Sequence, residues 1–201
     1  MILNLLWEFN SNMSTADLIM EIIKNRRNTK KFTSEPVKRS DIETLLESAI
    51  WAPNHRNTEP WRFYVVEKGS SLRAEIAKDM IRLREEKSEK ELDDKQKKSI
   101  HDQISGAPSL IFVFSLSSEN EEIAEENYAA TCCAIQNMQL TATSMGLGVG
   151  WSTGNVAKIR NIRRILGTDE NLRIAGVLTV GYPDAVVPKT RKDYETLTKW
   201  L

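Results

Sequence analysis

The segment that most restricts how this chain can fold is SLIFVFSL, residues 109 to 116, introduced by Pro108. It is an unbroken apolar run of strand length, so both faces of the strand it predicts must be covered, and it belongs in the middle of a sheet. Two further strands are expected. WRFYVVE, from Trp61, is aromatic and β-branched and ends at Gly69, and LRIAGVLTVGY starts at Leu172. Between the strands lie helices of very unequal length, which is an α+β pattern and not the even βαβα rhythm of a doubly wound nucleotide fold.

The helices follow from periodicity and caps. Leu18, Ile19, Ile22 and Ile23 after Ser14 and Thr15 predict a helix over 15–25. In SDIETLLESAIWAP, Ser40 and Glu43 have capping-box spacing, Ile42, Leu45, Leu46, Ala49 and Ile50 share one face, and Pro53 marks the stop. From Ser71 to about Gln103 the chain is charged with thin apolar content, as in a solvated helical pair. Glu121 to Met145 predicts a long helix that is small or apolar around most of its circumference, hence central or in a subunit interface. Gly146 closes it, GLGVGWSTGN reads as a glycine-rich loop, and Asn155 is placed to cap a further helix ending at Gly167.

The chain has 201 residues, enough for one domain with a real core. Residues 13–201 are expected to form that domain, with 1–12 as an N-terminal extension lacking the basic start and cleavage site of a secretory signal. Lys and Arg number 28 and Asp and Glu number 28, so no global field draws the protein to nucleic acid or an anionic membrane. Any anion site must be local. The two cysteines, adjacent at Cys132 and Cys133, cannot build a disulfide framework and are expected in the core, and no apolar run is long enough to cross a bilayer. A cytoplasmic protein is the expectation.

Few stretches carry chemistry. KNRRNTKKF places Arg26, Arg27, Lys30 and Lys31 at a helix exit, where they can serve as capping cations or as an anion site. Lys189 and Arg191 form a second basic pair near the other end, and guanidinium groups from both ends would clamp a phosphate if the fold joined them. GLGVGWSTG lacks the Lys-Ser/Thr of a P-loop and follows a helix where a dinucleotide fingerprint follows a strand. Its glycines, with Trp151 among them, suggest close backbone approach to something flat. His55 and His101 stand in no metal-ligand spacing, and no nucleophile elbow is present, so neither a metal nor a catalytic side chain is assigned.

Taken together, RRNTKKF, WAPNHRNTEPWRF, MGLGVGWSTG and VGYP resemble, in order, the motifs of the FMN-dependent nitroreductase family, with APNHR closest in wording to small bacterial members that read A-P-D-H. The resemblance runs from about Asn25 to Arg191. It implies a nitroreductase-like α+β fold: a central mixed sheet containing antiparallel pairs, flanked by helices, in a homodimer with intertwined termini and FMN at the subunit interface. Carried over by position, Arg26, Arg27, Asn28 and Lys30 match the first FMN-binding run. Trp51, Pro53, Asn54 and His55 would face the flavin held by the partner, Gly150, Trp151, Ser152, Thr153 and Gly154 would lie near the isoalloxazine, and Lys189 or Arg191 would bind phosphate. Asn28 stands where the family usually has serine, and Glu59 where it has glutamine.

The implied activity is hydride transfer from NAD(P)H through FMN to a small-molecule electron acceptor such as a nitroaromatic or quinone, with no nucleic-acid or membrane partner. A flavin-binding sensor or store using the same pocket without turnover is the alternative.

Overall fold

The computed structural model describes residues 13–168, 171–185 and 187–201; the extension expected at 1–12 lies outside them. Among the described residues are helices α1 (Thr15–Asn25), α2 (Arg39–Ile50), α3 (Leu72–Ser88), α4 (Asp94–Gly106), α5 (Glu121–Ser144) and α6 (Ile162–Leu166), and strands β1 (Trp61–Val66), β2 (Ser109–Leu116), β3 (Gly148–Ser152) and β4 (Leu172–Gly181). The sheet order is β1-β2-β4-β3 and every adjacent pair is antiparallel. The one parallel pairing among the described residues is an isolated bridge between Asn28 and Val149.

The composition of β2 explains the layering. Ile111 and Val113 point into a core shared with Leu45 and Ala49 of α2 and Ala134, Ile135 and Met138 of α5. Leu110, Phe112 and Phe114 point the other way, into a core with Ile76 and Met80 of α3, Ile100 and Ile104 of α4, and Ile162 and Ile165 of α6. A strand buried on both faces gains roughly 1.5–3 kcal/mol per large apolar side chain on each side, which is why β2 cannot sit at an edge.

The charged stretch after Ser71 forms the expected helical pair, and its thin apolar content is concentrated on the inner face. Arg73, only 3% exposed, locks this pair to the sheet. Its guanidinium donates to the carbonyls of Val66 (2.9 Å) and Glu67 (2.9 Å) at the end of β1 and of Ile104 (2.7 Å) and Ala107 (2.6 Å) at the end of α4. These otherwise orphaned acceptors at a helix and strand end compensate a cation whose burial lowers its pKa.

Four local expectations are corrected. The capping box at Ser40 does not form: α2 begins at Arg39 with Lys38 at the cap, and Glu43 pairs with Arg39 at 3.0 Å instead of turning back to the helix start. The stretch 148–152 is the edge strand β3 and not a loop. Asn155 caps no continuous helix; a short 3-10 turn, Asn155–Lys158, precedes the separate α6, and the Asn155 side chain accepts from Lys87 Nζ at 2.8 Å. Cys133 is exposed and Cys132 half-buried, because successive residues of α5 diverge by a helical step and only one side of α5 meets the sheet. At α1 the cap is as expected, with Ser14 and Asp17 forming a capping box.

Candidate functional site

The glycines of β3 are required by the chain itself. Residues 28–29 run along its free edge: Thr29 N–H donates to Val149 O at 3.1 Å, and Trp151 N–H donates to Asn28 Oδ1 at 2.6 Å. A Cβ on Gly150 would strike the Thr29 carbonyl, and one on Gly148 would strike the Thr29 side chain. The flat object these glycines admit is therefore the backbone leaving α1, which also shields an otherwise unpaired sheet edge. Trp151 is fixed from its other end, Nε1–H donating to Ala175 O at 3.1 Å beside the irregular pairing of β2 with β4.

This crossing brings the two ends of the chain together. Beyond Thr29 the chain pairs with the segment after β4 through the Phe32–Pro183 bridge, and Asp184 N–H donates to Lys31 O at 3.1 Å. Arg27 Nε donates to Val187 O at 2.9 Å, and the same guanidinium reaches the carbonyls of Lys24 and Arg26. Arg27 thus pins the tail, while Arg26 faces outward into a cleft. The Arg26 pKa is pushed down, first by burial and then by the repulsion of Arg191 and Arg27. Guanidinium groups crowded this way favour an anion between them.

The cleft has a volume of about 440 Å³ and is lined by Arg26, Asn28, Gln136, Gln139, Trp151 and Thr153. Four of these six were expected from the sequence; Gln136 and Gln139 were not. Their signal was legible, since two carboxamides three residues apart share a face of an otherwise small and apolar helix. Gln139 is only 3% exposed, and its side chain makes no hydrogen bond among the described residues. Its amide atoms are not fully enclosed, and the surface they keep opens on the cleft, which places them to meet a ligand.

The other expected residues are dispersed. Ser152 ends β3 and its hydroxyl accepts from Gly154 N–H at 3.3 Å, and Gly150 lies within the strand. Lys30, Lys189 and Arg191 are exposed outside the cleft wall, Arg191 close enough to Arg26 to be felt by it.

The loop carrying Trp51, Pro53, Asn54 and His55 stands elsewhere. Trp51 is 79% exposed. Arg56, Asn57 and Glu59 all have positive φ, at 61°, 50° and 43°, a concentration of strain that only strong tethering sustains. The tethers run to the first half of α5: Thr58 Oγ1 donates to Asn127 Oδ1 at 2.8 Å, Arg56 Nε reaches Glu126 at 3.4 Å, and His55 Nε2 lies 3.9 Å from Glu126. Asn54 Oδ1 accepts from Glu59 N–H at 3.1 Å and closes the loop. From Glu126 to Gln136 the helix advances about 15 Å, so within one chain His55 and Arg26 serve separate places.

Comparison with known proteins places this geometry. Residues 23–182 match the family model described as the Nitroreductase family. The chain is 32% identical over 175 residues, 87% of its length and 89% of the relative's, to "Putative NAD(P)H nitroreductase YfhC" of Bacillus subtilis. It is 29% identical over 185 residues to an iodotyrosine deiodinase of Thermotoga neapolitana, covering 86% of this chain and 92% of that one. Among solved structures, a nitroreductase-like family protein from Bacillus cereus superposes with a TM-score of 0.80 at 28% identity, over 96% of this chain and 98% of the other. A protein from Desulfovibrio desulfuricans described as a "putative nitroreductase in complex with fmn" has the same fold, with a TM-score of 0.70 at 23% identity over 90% and 94% of the two chains. With most of its length matched by the family model, the chain belongs to the nitroreductase family.

Proposed function

We propose that the cleft holds FMN and that the protein is an NAD(P)H-dependent reductase of nitroaromatic, quinone or related small acceptors, working as a homodimer. The observation that carries this reading is the Arg26 guanidinium, partly buried and repelled by Arg191 and Arg27 at the mouth of a cleft that also holds the unpartnered Gln139. Names and contents of relatives support it: one is named for NAD(P)H and another was solved with FMN.

The residues present fit the cofactor. A volume of about 440 Å³ lies within the roughly 300–1,000 Å³ of small-molecule and cofactor sites. Arg26, with Arg191 beside it, would take the phosphate; Asn28, Gln136 and Gln139 offer amide groups to the polar parts of the ribityl chain and ring. Bound there, FMN would supply the hydride chemistry that links NAD(P)H to the acceptor. The chain's own task is to hold, orient and polarise. The backbone N–H of Thr153, in the cleft wall, can stabilise negative charge that accumulates on reduction, whereas Lys30 stands outside that wall. No side chain is assigned as acid or base.

The second copy completes the enclosure. Ile19, Met20 and Ile23 on α1, Ile50 and Trp51 at the end of α2, and Tyr194, Leu197 and Trp200 in the tail are exposed apolar groups, and such surface in quantity marks an association site. In a two-fold assembly the tethered loop with His55 would face the partner's cleft.

The test is spectroscopic. Protein reconstituted with FMN and desalted is expected to be yellow at one flavin per chain, to bleach with NADH or NADPH, and to recover colour on adding a nitroaromatic under anaerobic conditions. A protein that stays colourless removes the flavin reading; one that binds flavin but never bleaches is a store or sensor.

A further inference from the structure

A second cavity lies on the opposite face of the sheet. It has a volume of about 260 Å³ and sits between α3, α4 and the paired strands β3 and β4. Its floor is apolar, made by Met80, Ile104, Leu110, Val156 and Val177, and its polar wall is Arg84, Gln103, Ser152, Asn155 and Thr179. Among the described residues, no acidic side chain lines it. Arg84 makes no ion pair or side-chain hydrogen bond among the described residues. The carboxylates next to it in sequence are engaged elsewhere, Glu85 with Lys97 at 3.4 Å and Glu86 with Arg160 at 3.2 Å. The roof is fastened as well, since Lys87 Nζ donates to Asn155 Oδ1 at 2.8 Å and ties the end of α3 to the turn after β3.

This is a different place from the cleft of Arg26. Adjacent residues at the end of β3 separate the two: Ser152 lines the second cavity, whereas Trp151 and Thr153 line the first. We propose that the second cavity is a binding site for a small organic monoanion with an apolar body, of the aryl or short alkyl carboxylate class. The half-buried guanidinium of Arg84 takes the carboxylate through its two-pronged donor face, and the hydroxyl of Thr179 and the amide of Gln103 are additional donors. The apolar body lies against Met80, Ile104 and Val177. The volume is below the roughly 300–1,000 Å³ of drug-sized sites, which admits one ring or a short chain and excludes a dinucleotide. One cation with no acid among the described lining residues selects a single negative charge; a neutral molecule of the same shape leaves Arg84 without its partner.

The site is tested on ¹⁵N-labelled full-length protein, with and without FMN, by titrating benzoate, benzyl alcohol and acetate and following amide shifts. Saturable shifts centred on Ser152, Val156 and Thr179 are expected for benzoate, with benzyl alcohol and acetate at least about tenfold weaker. R84Q should weaken benzoate at least about tenfold and R84K less, while R26Q leaves it within about twofold. T179V, a change of similar shape, should weaken it by a smaller factor in a chain whose spectrum is otherwise unchanged. The site is overturned by shifts that never saturate, by shifts centred on Asn28 and Thr153, or by equal affinity in R84Q. Since the readout does not use flavin, a negative result here leaves the assignment of the first cleft standing, and the converse holds.

Discussion

Arg26 and Arg27 are neighbours of the same type with different work. Arg27 spends its donors on the carbonyls of Val187, Lys24 and Arg26, whereas Arg26 lines the cleft under pressure from burial and from Arg191. R26Q is therefore expected to weaken FMN about ten- to a hundredfold, the worth of a charge-assisted hydrogen bond of roughly 1.5–3 kcal/mol. R27Q should act mainly by loosening the tail, seen as faster proteolysis after residue 187 with a smaller change in flavin affinity. Equal losses in both variants, measured by flavin fluorescence quenching, would remove the distinction. Gln139 makes a sharper case. Its carboxamide makes no hydrogen bond among the described residues and opens on the cleft, so Q139L should leave the stability of the flavin-free protein about unchanged, while lowering FMN affinity by about three- to tenfold for the lost neutral bond. A variant that loses stability without FMN would mean that the amide already has a structural role. The Arg pair was legible in the sequence as four cations at a helix exit; which of them is committed to the tail depends on a contact across the length of the chain, and no local pattern carries it.

Elements differ in legibility for the same reason. β2, α5 and the charged helical pair follow from composition and period, because what they bury is written within their own residues. β3 does not: GVGWS looks like a loop since two of its five residues are glycine, and their need is set by Thr29 on a distant segment. The capping box at Ser40 fails in a similar way, Arg39 having taken Glu43 for itself. The β3 edge yields a pair of predictions with opposite rescue behaviour. At Gly148 an added Cβ meets the Thr29 side chain, so G148A should cost about 1–3 kcal/mol by overpacking and be relieved by removing that side chain in T29G. At Gly150 the obstacle is the Thr29 carbonyl, present whatever the residue, so G150A should cost at least as much and gain nothing from T29G. Urea unfolding of G148A, G150A, T29G and the two double variants measures both. Rescue of G150A by T29G would show that backbone approach is not what demands glycine there. Because Asn28 is held by the Trp151 amide, G150A should also weaken FMN.

At the scale of the whole molecule the feature to explain is the separation of the two motifs. The strained loop with His55 is tethered at Glu126 and Asn127, and the cleft of Arg26 opens by Gln136 and Gln139, about 15 Å farther along α5. Among the described residues, no contact within one chain brings the two together. A two-fold axis crossing α5 between them would, because an isologous interface sets the first half of one helix against the second half of its partner. Each site then combines Arg26 of one protomer with the loop of the other, and this can be tested without a structure of the assembly. R26Q and H55A homodimers should each turn over poorly at limiting FMN. When the two variants are mixed, unfolded and refolded together, half of the dimers are mixed. In each mixed dimer one site carries both changes and the other carries neither, so activity should return to about a quarter of the unmodified level. If each chain builds its own site, mixing restores nothing, since every site keeps one of the two changes. A sizing column run on the same samples separates this result from a failure to associate, and recovery without mixed dimers would rule out the shared site.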